Sequence, residues 1–211
     1  MILFLAGKIT RKNDDKFTSG RYVSAPEDTK MKKTILVFGL ISGAVVSVLM
    51  AATVPFADRI GFDRAEFVGY TVIVLSLLLV FFGIRSYREN VGNGQITFAR
   101  AFAVGICITL ISCVCYVITW EIIYYNFLPD FMDKYTAYLV AKAQSSGASQ
   151  QALQAQLQEL QKAKELYANP FFNALVTFIE PFPIGLVVTL ISAAILRKKA
   201  QPQPAGNSAS A

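Results

Sequence analysis

The sequence predicts an all-α membrane protein: four transmembrane helices, with an amphipathic helical hairpin between the third and the fourth. Three observations carry this. Four apolar runs are each long enough, at ~1.5 Å per residue, to cross ~30 Å of hydrocarbon. Hydrophobic residues make up 54% of the 211-residue chain and charged residues only 16%, below the ~25% charged share usual in soluble domains. The 20 Lys and Arg outnumber the 14 Asp and Glu, but the basic residues cluster just outside the apolar runs rather than along one polar face. They are topology signals and not a nucleic-acid surface.

In chain order, Met1 to Leu5 is too short for a signal-peptide core, and Lys8 to Lys30 is polar with no periodicity that would bury a face. Residues 1–30 are expected to be a disordered tail or a misassigned start, with translation beginning at Met31. The membrane domain then covers residues 31–199. Lys32 and Lys33 precede the first span, Thr34 to Ala57, whose 24 residues carry no charge. Within it Gly39, Gly43, Ser47 and Ala51 recur every four residues. Such a stripe lets another helix approach closely, either within the chain or in a homodimer.

A short loop, Asp58 to Ala65, holds Arg59 and Arg64. The second span, Phe67 to Ile84, has Glu66 at its mouth and Arg85 closing it. Gly92-Asn93-Gly94 is a turn, and Thr97 can cap the next helix. This Gly-x-Gly lacks the preceding strand and the full glycine spacing of a phosphate-binding loop. The third span runs from Ala101 to Phe127 and leaves the hydrocarbon at Trp120-Glu121, followed by Tyr124 and Tyr125, as aromatic residues do at a membrane interface.

The outer segment, residues 130–168, places Phe131, Tyr135, Tyr138 and Leu139 on one helical face. Ser145-Ser146-Gly147 breaks it. Leu153, Leu157, Leu160, Ala163 and Tyr167 then form a second stripe. The two apolar stripes of this hairpin face each other or the lipid surface, or else form a coiled coil with a partner. The last span, Phe171 to Leu196, is interrupted by Glu180-Pro181-Phe182-Pro183. The prolines remove backbone donors and leave carbonyls that neighbours or water must satisfy. Residues 200–211, rich in Ser, Ala, Pro and Gln, are expected to be disordered.

Lys30, Lys32 and Lys33, then Arg85, Arg88 and Arg100, then Arg197, Lys198 and Lys199 all fall on one side of a four-span arrangement. That side is cytoplasmic by the positive-inside rule, so both termini are expected inside and the hairpin outside.

Met31-Lys32-Lys33, the inner turn Gly94 to Gly105, the Trp120-Glu121 exit, the long outer hairpin and the ending Glu180-Pro-Phe-Pro-Ile-Gly185 through Lys199 resemble the bacterial membrane family catalogued as domain of unknown function (DUF) 4199. The resemblance covers about Met31 to Lys199. It implies four spans and a home in the inner (plasma) membrane, and it brings no activity and no catalytic residue.

Function must therefore be read from placement in the membrane. The chain has no histidine, which excludes histidine-ligated zinc, histidine general bases and the usual serine or cysteine triads. Cys107, Cys113 and Cys115 lie inside the third span and read as small packing hydrophobes. No catalytic residue, cofactor or metal site is read, and no enzyme is expected.

The candidate site is a set of carboxylates. Counted at the helical rise, Glu66 lies ~28 Å from Arg85, Glu121 ~31 Å from Arg100 and Glu180 ~25 Å from Arg197. All three therefore sit near the outer edge of the hydrocarbon, where a carboxylate needs a partner, an interior or a water-filled cavity. Glu121 and Glu180 are expected to face the bundle interior together. Two roles fit: a structural or accessory membrane protein whose outer hairpin contacts another membrane or periplasmic protein, or a small cation or proton pathway through Glu66, Glu121 and Glu180.

Overall fold

The computed structural model describes residues 27–198, so the two expected tails lie almost wholly outside the described residues. Helix α1 spans Glu27–Thr53 and is followed by a 3₁₀ turn, Val54–Phe56, and a single turn, α2, Ala57–Ile60. Next come α3, Phe62–Leu77, and α4, Leu79–Asn90, then α5, Phe98–Phe127. The connecting helices are α6, Phe131–Ser145, and α7, Gln150–Tyr167, and the chain closes with α8, Pro170–Ile179, and α9, Pro181–Leu196. Among the described residues, four helices are long and apolar enough to cross a membrane: α1, α3 with α4, α5, and α8 with α9.

Each of these helices is longer than the uncharged run that announced it, or shifted along it. The first starts at Glu27 and not at Thr34, so Glu27–Lys30 belong to it and not to a tail; it stops at Thr53, where the following Val54-Pro55 disfavours helical continuation. The second extends through Asp63, Arg64 and Glu66 at one end and through Arg85 to Asn90 at the other. A helix satisfies its own backbone whether its flanks are wet or dry, so hydropathy marks the hydrocarbon-matched part only.

Two helices have interrupted ladders. At Glu180 the backbone stays right-handed (φ −66, ψ −58), and the break comes from the missing N–H groups of Pro181 and Pro183. At Leu78 the sequence gives no such warning. There Ser42 of α1 donates to the Ser76 carbonyl at 2.8 Å, and a side chain inserted into the ladder is a recognised cause of such breaks.

Helix α5 is the hub, packing against α1, α4, α8 and α9. Val80, Ile84, Val104, Ile108 and Ala193 are fully buried around it. Large apolar side chains such as Leu36, Val48, Val114 and Ile195 are exposed on the outer faces, an apolar exterior suited to lipid.

The small-residue stripe serves this chain. A Cβ at Gly39 would lie 2.8 Å from Ile111 Cβ, and one at Gly43 would lie 2.5 Å from Cys115 Sγ. Both glycines let α1 close on α5. Ser47 continues the contact through a 2.7 Å hydrogen bond with Thr119, whereas Ala51 is exposed. A homodimer face built on Gly39 and Gly43 is unavailable, because α5 covers them.

At the end bearing the basic clusters, Thr97 caps α5 by accepting from the Arg100 N–H. Asn93 and Gly94 supply the positive φ values of the turn (50 and 79). Ile96 and Lys198 pair in an antiparallel bridge, and Arg88 donates to the Leu196 carbonyl at 3.3 Å. The α4–α5 turn and the end of α9 therefore meet.

On α9, Gly185 faces Thr109, whose methyl a Cβ at position 185 would strike. Gly185→Ala is expected to lower stability by about 1–3 kcal/mol through overpacking. Thr109→Ser removes that methyl and keeps the hydroxyl bonded to Thr189 at 3.0 Å, so the double variant should recover most of the loss. Thermal unfolding of the four proteins of this cycle in detergent measures it; additive losses would show that the two positions do not touch.

Candidate functional site

The C-terminal half of α5 presents Tyr116, Trp120 and Tyr124 at intervals of four, one row on one face. Opposite, α8 and its end present Asn173, Thr177 and Glu180 at four and three. Tyr116 donates to Glu180 Oε2 at 2.8 Å. Trp120 Nε1 donates to the Tyr167 hydroxyl at 2.9 Å and to Asn173 Oδ1 at 3.2 Å. Thr177 also donates to Asn173 Oδ1, at 3.2 Å.

An indole N–H only donates, so Trp120 fixes which end of the Asn173 amide faces it. Asn173 is fully buried, and its Nδ2 has no partner among the described residues.

Helix α8 is started for this purpose. Asn169 caps it by accepting from the N–H groups of Phe171 and Phe172, and Pro170 occupies its first turn, where a missing donor costs nothing. Beneath the Tyr116–Glu180 pair is a void of about 10 Å³ lined by Ser76, Ser112 and Pro181 among apolar neighbours, about the size needed for one water. Further in, Ser42, Thr109 and Thr189 are fully buried.

The three carboxylates do not form one cluster. Glu180 is partly buried and bonded, and Glu66, exposed at the mouth of α3, lies within electrostatic reach of it. Glu121 lies about 140° around α5 from Tyr116, so it does not join Glu180 in the interior as expected. Its Oε1 is buried without a hydrogen-bond donor among the described residues. Sequence reasoning missed Tyr116 as the partner of Glu180, and missed Asn173 and Thr177 beside it. Their helical spacing, polar residues at 173, 177 and 180 inside an apolar run, was the available signal.

Helices α6 and α7 are fastened onto this end of the bundle. Phe62, at the start of α3, packs its ring against Phe131, Tyr135 and Tyr138 of α6. Trp120 and Tyr124 meet Phe131, and Tyr124 meets Tyr167. The aromatic row of α6 therefore faces the spans. On α7, Leu153 is buried and Leu160 and Tyr167 are half-buried, but Leu157 and Ala163 are exposed.

Charges add smaller ties. Lys142 bonds Asp63 at 2.6 Å and the Tyr138 hydroxyl at 3.2 Å, and Lys164 bonds Asp133 to join α7 to α6. The bond to the Asp63 carboxylate, then that to Tyr138, holds the Lys142 ammonium above its usual range. Its contribution is thus complete below the free-lysine pKa and is lost only as the pH climbs through the raised value, far from neutrality. These pairs are exposed, so the aromatic contacts carry more of the attachment.

Among the described residues, no group of three or more Cys, Asp and Glu could hold a metal ion. Residues 37–198 match the family described as protein of unknown function (DUF4199). No curated protein and no solved structure matches the chain.

Tyr116→Phe strips Glu180 of its phenolic donor and is expected to destabilise the protein by about 1–3 kcal/mol. Glu180→Gln keeps an acceptor for Tyr116 and should cost less, whereas Glu180→Lys forces an unpaired cation into this half-buried site and should reduce accumulation. Melting midpoints of the detergent-purified variants, with their yields, check this order. A Tyr116→Phe midpoint equal to wild type would mean that the bond contributes nothing.

Proposed function

This chain belongs to the DUF4199 family of proteins of unknown function, and we propose that it is a non-enzymatic accessory protein of the inner membrane, holding its α6–α7 hairpin on the outer face as a docking element for a membrane or periplasmic partner. One observation carries this reading: the hairpin is clamped to the spans through Phe62, Asp63 and Trp120, while α7 leaves Gln150, Gln151, Gln154, Gln158 and Gln161 exposed. A preformed element binds without the entropy loss of ordering itself. An amide-rich face suits hydrogen-bonded recognition of a protein surface.

The orientation belongs to the same reading. The basic clusters around Lys32, Arg88 and Lys198 gather at one end of the bundle, which the positive-inside rule assigns to the cytoplasm. The hairpin end carries few basic residues and lies opposite.

The buried Glu180–Tyr116 pair favours a second reading, a small proton or cation pathway entering past Glu66. The inward hydroxyls follow one another at Ser112, Ser76, Ser42, Thr109 and Thr189, although several bond backbone carbonyls or each other. Proteoliposomes holding the protein would show a pH-driven flux that Glu180→Gln abolishes.

Two measurements test the docking reading. Reporter fusions after Arg88 should read cytoplasmic and one near Gly147 external; an external signal after Arg88 would overturn the orientation. A photo-crosslinking residue at Gln154, Gln158 or Gln161 should give discrete protein adducts in intact cells, whereas one at the lipid-facing Val48 should not. Adduct-free hairpin positions would sink the docking role.

A further inference from the structure

On the side of α5 turned away from Tyr116, Val114, Val117 and Ile118 form one wall of a groove, and Phe171, Leu175 and Phe178 of α8 form the other. The space between them is about 240 Å³ and apolar; a dry apolar cavity of ~150 Å³ is enough to take up benzene. The groove opens outward, since Phe171 is 80% exposed and Val114 and Ile118 are about half exposed. At this level of a spanning helix the surrounding medium is hydrocarbon, so the available occupant is an acyl chain.

Glu121 stands at the upper end of this groove. It lies one turn beyond Val117 and Ile118 on the same face of α5, ~31 Å from Arg100 by the helical rise and so level with the headgroups. One of its oxygens is buried without a donor among the described residues. The nearby ring hydroxyls are those of Tyr124 and Tyr125. A carboxylate with one oxygen unsatisfied among the described residues, placed above an acyl-sized groove, suits a cationic donor.

We propose that the α5–α8 groove binds an amine-headed phospholipid of the outer leaflet, one acyl chain between Val114 and Leu175 and the ammonium against Glu121. An ammonium supplies both the hydrogen bond and the countercharge, and it is compact enough to sit at the groove mouth. An anionic headgroup would place like charge beside the carboxylate and is selected against. This site is independent of the hairpin reading, since Glu121 and the groove lie on the lipid-facing side.

The test uses the purified full chain and native mass spectrometry with equimolar phosphatidylethanolamine and phosphatidylglycerol. Wild type should retain one phosphatidylethanolamine with a preference of about tenfold, the scale of one charge-assisted hydrogen bond. Glu121→Gln should lose the preference, and Glu121→Lys should turn it toward phosphatidylglycerol, a reversal that mere destabilisation cannot produce. Val114→Trp, at the exposed rim, should displace the retained lipid. Equal retention of both lipids by wild type, an unchanged preference in Glu121→Gln, or a dimer that leaves no lipid bound would each overturn the proposal.

Discussion

The close approach of α1 and α9 to α5 is the constraint on which the rest of the structure depends. In hydrocarbon an apolar side chain gains little by leaving lipid for a neighbouring helix, so association rests on van der Waals fit and on polar ties between helices. Gly39, Gly43 and Gly185 provide the fit, and Gly105 does the same for Thr189 and Ile84. Only at that spacing can short hydroxyls reach across helices, as Ser42 does to the Ser76 carbonyl and Thr109 to Thr189. Glycine contact and hydroxyl bond are two aspects of one geometry.

With α5 fixed from several sides, its C-terminal half becomes a rail for everything beyond the bundle. Tyr116 holds the broken fourth helix at Glu180, Trp120 holds both α8 and α7, and Tyr124 contacts Tyr167 and Phe131. The same helix offers a polar aromatic face inward and an apolar, carboxylate-tipped face outward. The division follows from helical phase alone, since residues 116 and 121 cannot share a side.

Much of this was legible in the sequence. Uncharged length announced four helices, Thr97 and Gly92-Asn93-Gly94 announced the turn before α5, and the glycine stripe announced a close helix contact. Hydropathy could not give the true helix ends, because charged residues such as Asp63 and Arg88 continue a helix outside hydrocarbon as readily as apolar ones do. Nor could depth along a helix tell which carboxylates meet. Glu121 and Glu180 match in height, but pairing also needs azimuth, and the azimuth of α8 follows from the Trp120–Asn173 bond, a tertiary contact. The break at Leu78 was equally hidden, because Ser42, which bonds the Ser76 carbonyl beside it, is on another helix.

The proline break at Glu180 gives the fourth span the mechanics of two rods set end to end. The lower rod, α9, is keyed to α5 by Gly185 and Thr189 and is tied to the α4–α5 turn at Lys198. The upper rod, α8, takes its bearings from Asn169, from Asn173 against Trp120, and from the hairpin through Tyr167. Two rungs of the ladder are absent between them. A displacement of α7 is therefore met first by α8 and by α5 itself, through the Trp120–Tyr167 and Tyr116–Glu180 bonds.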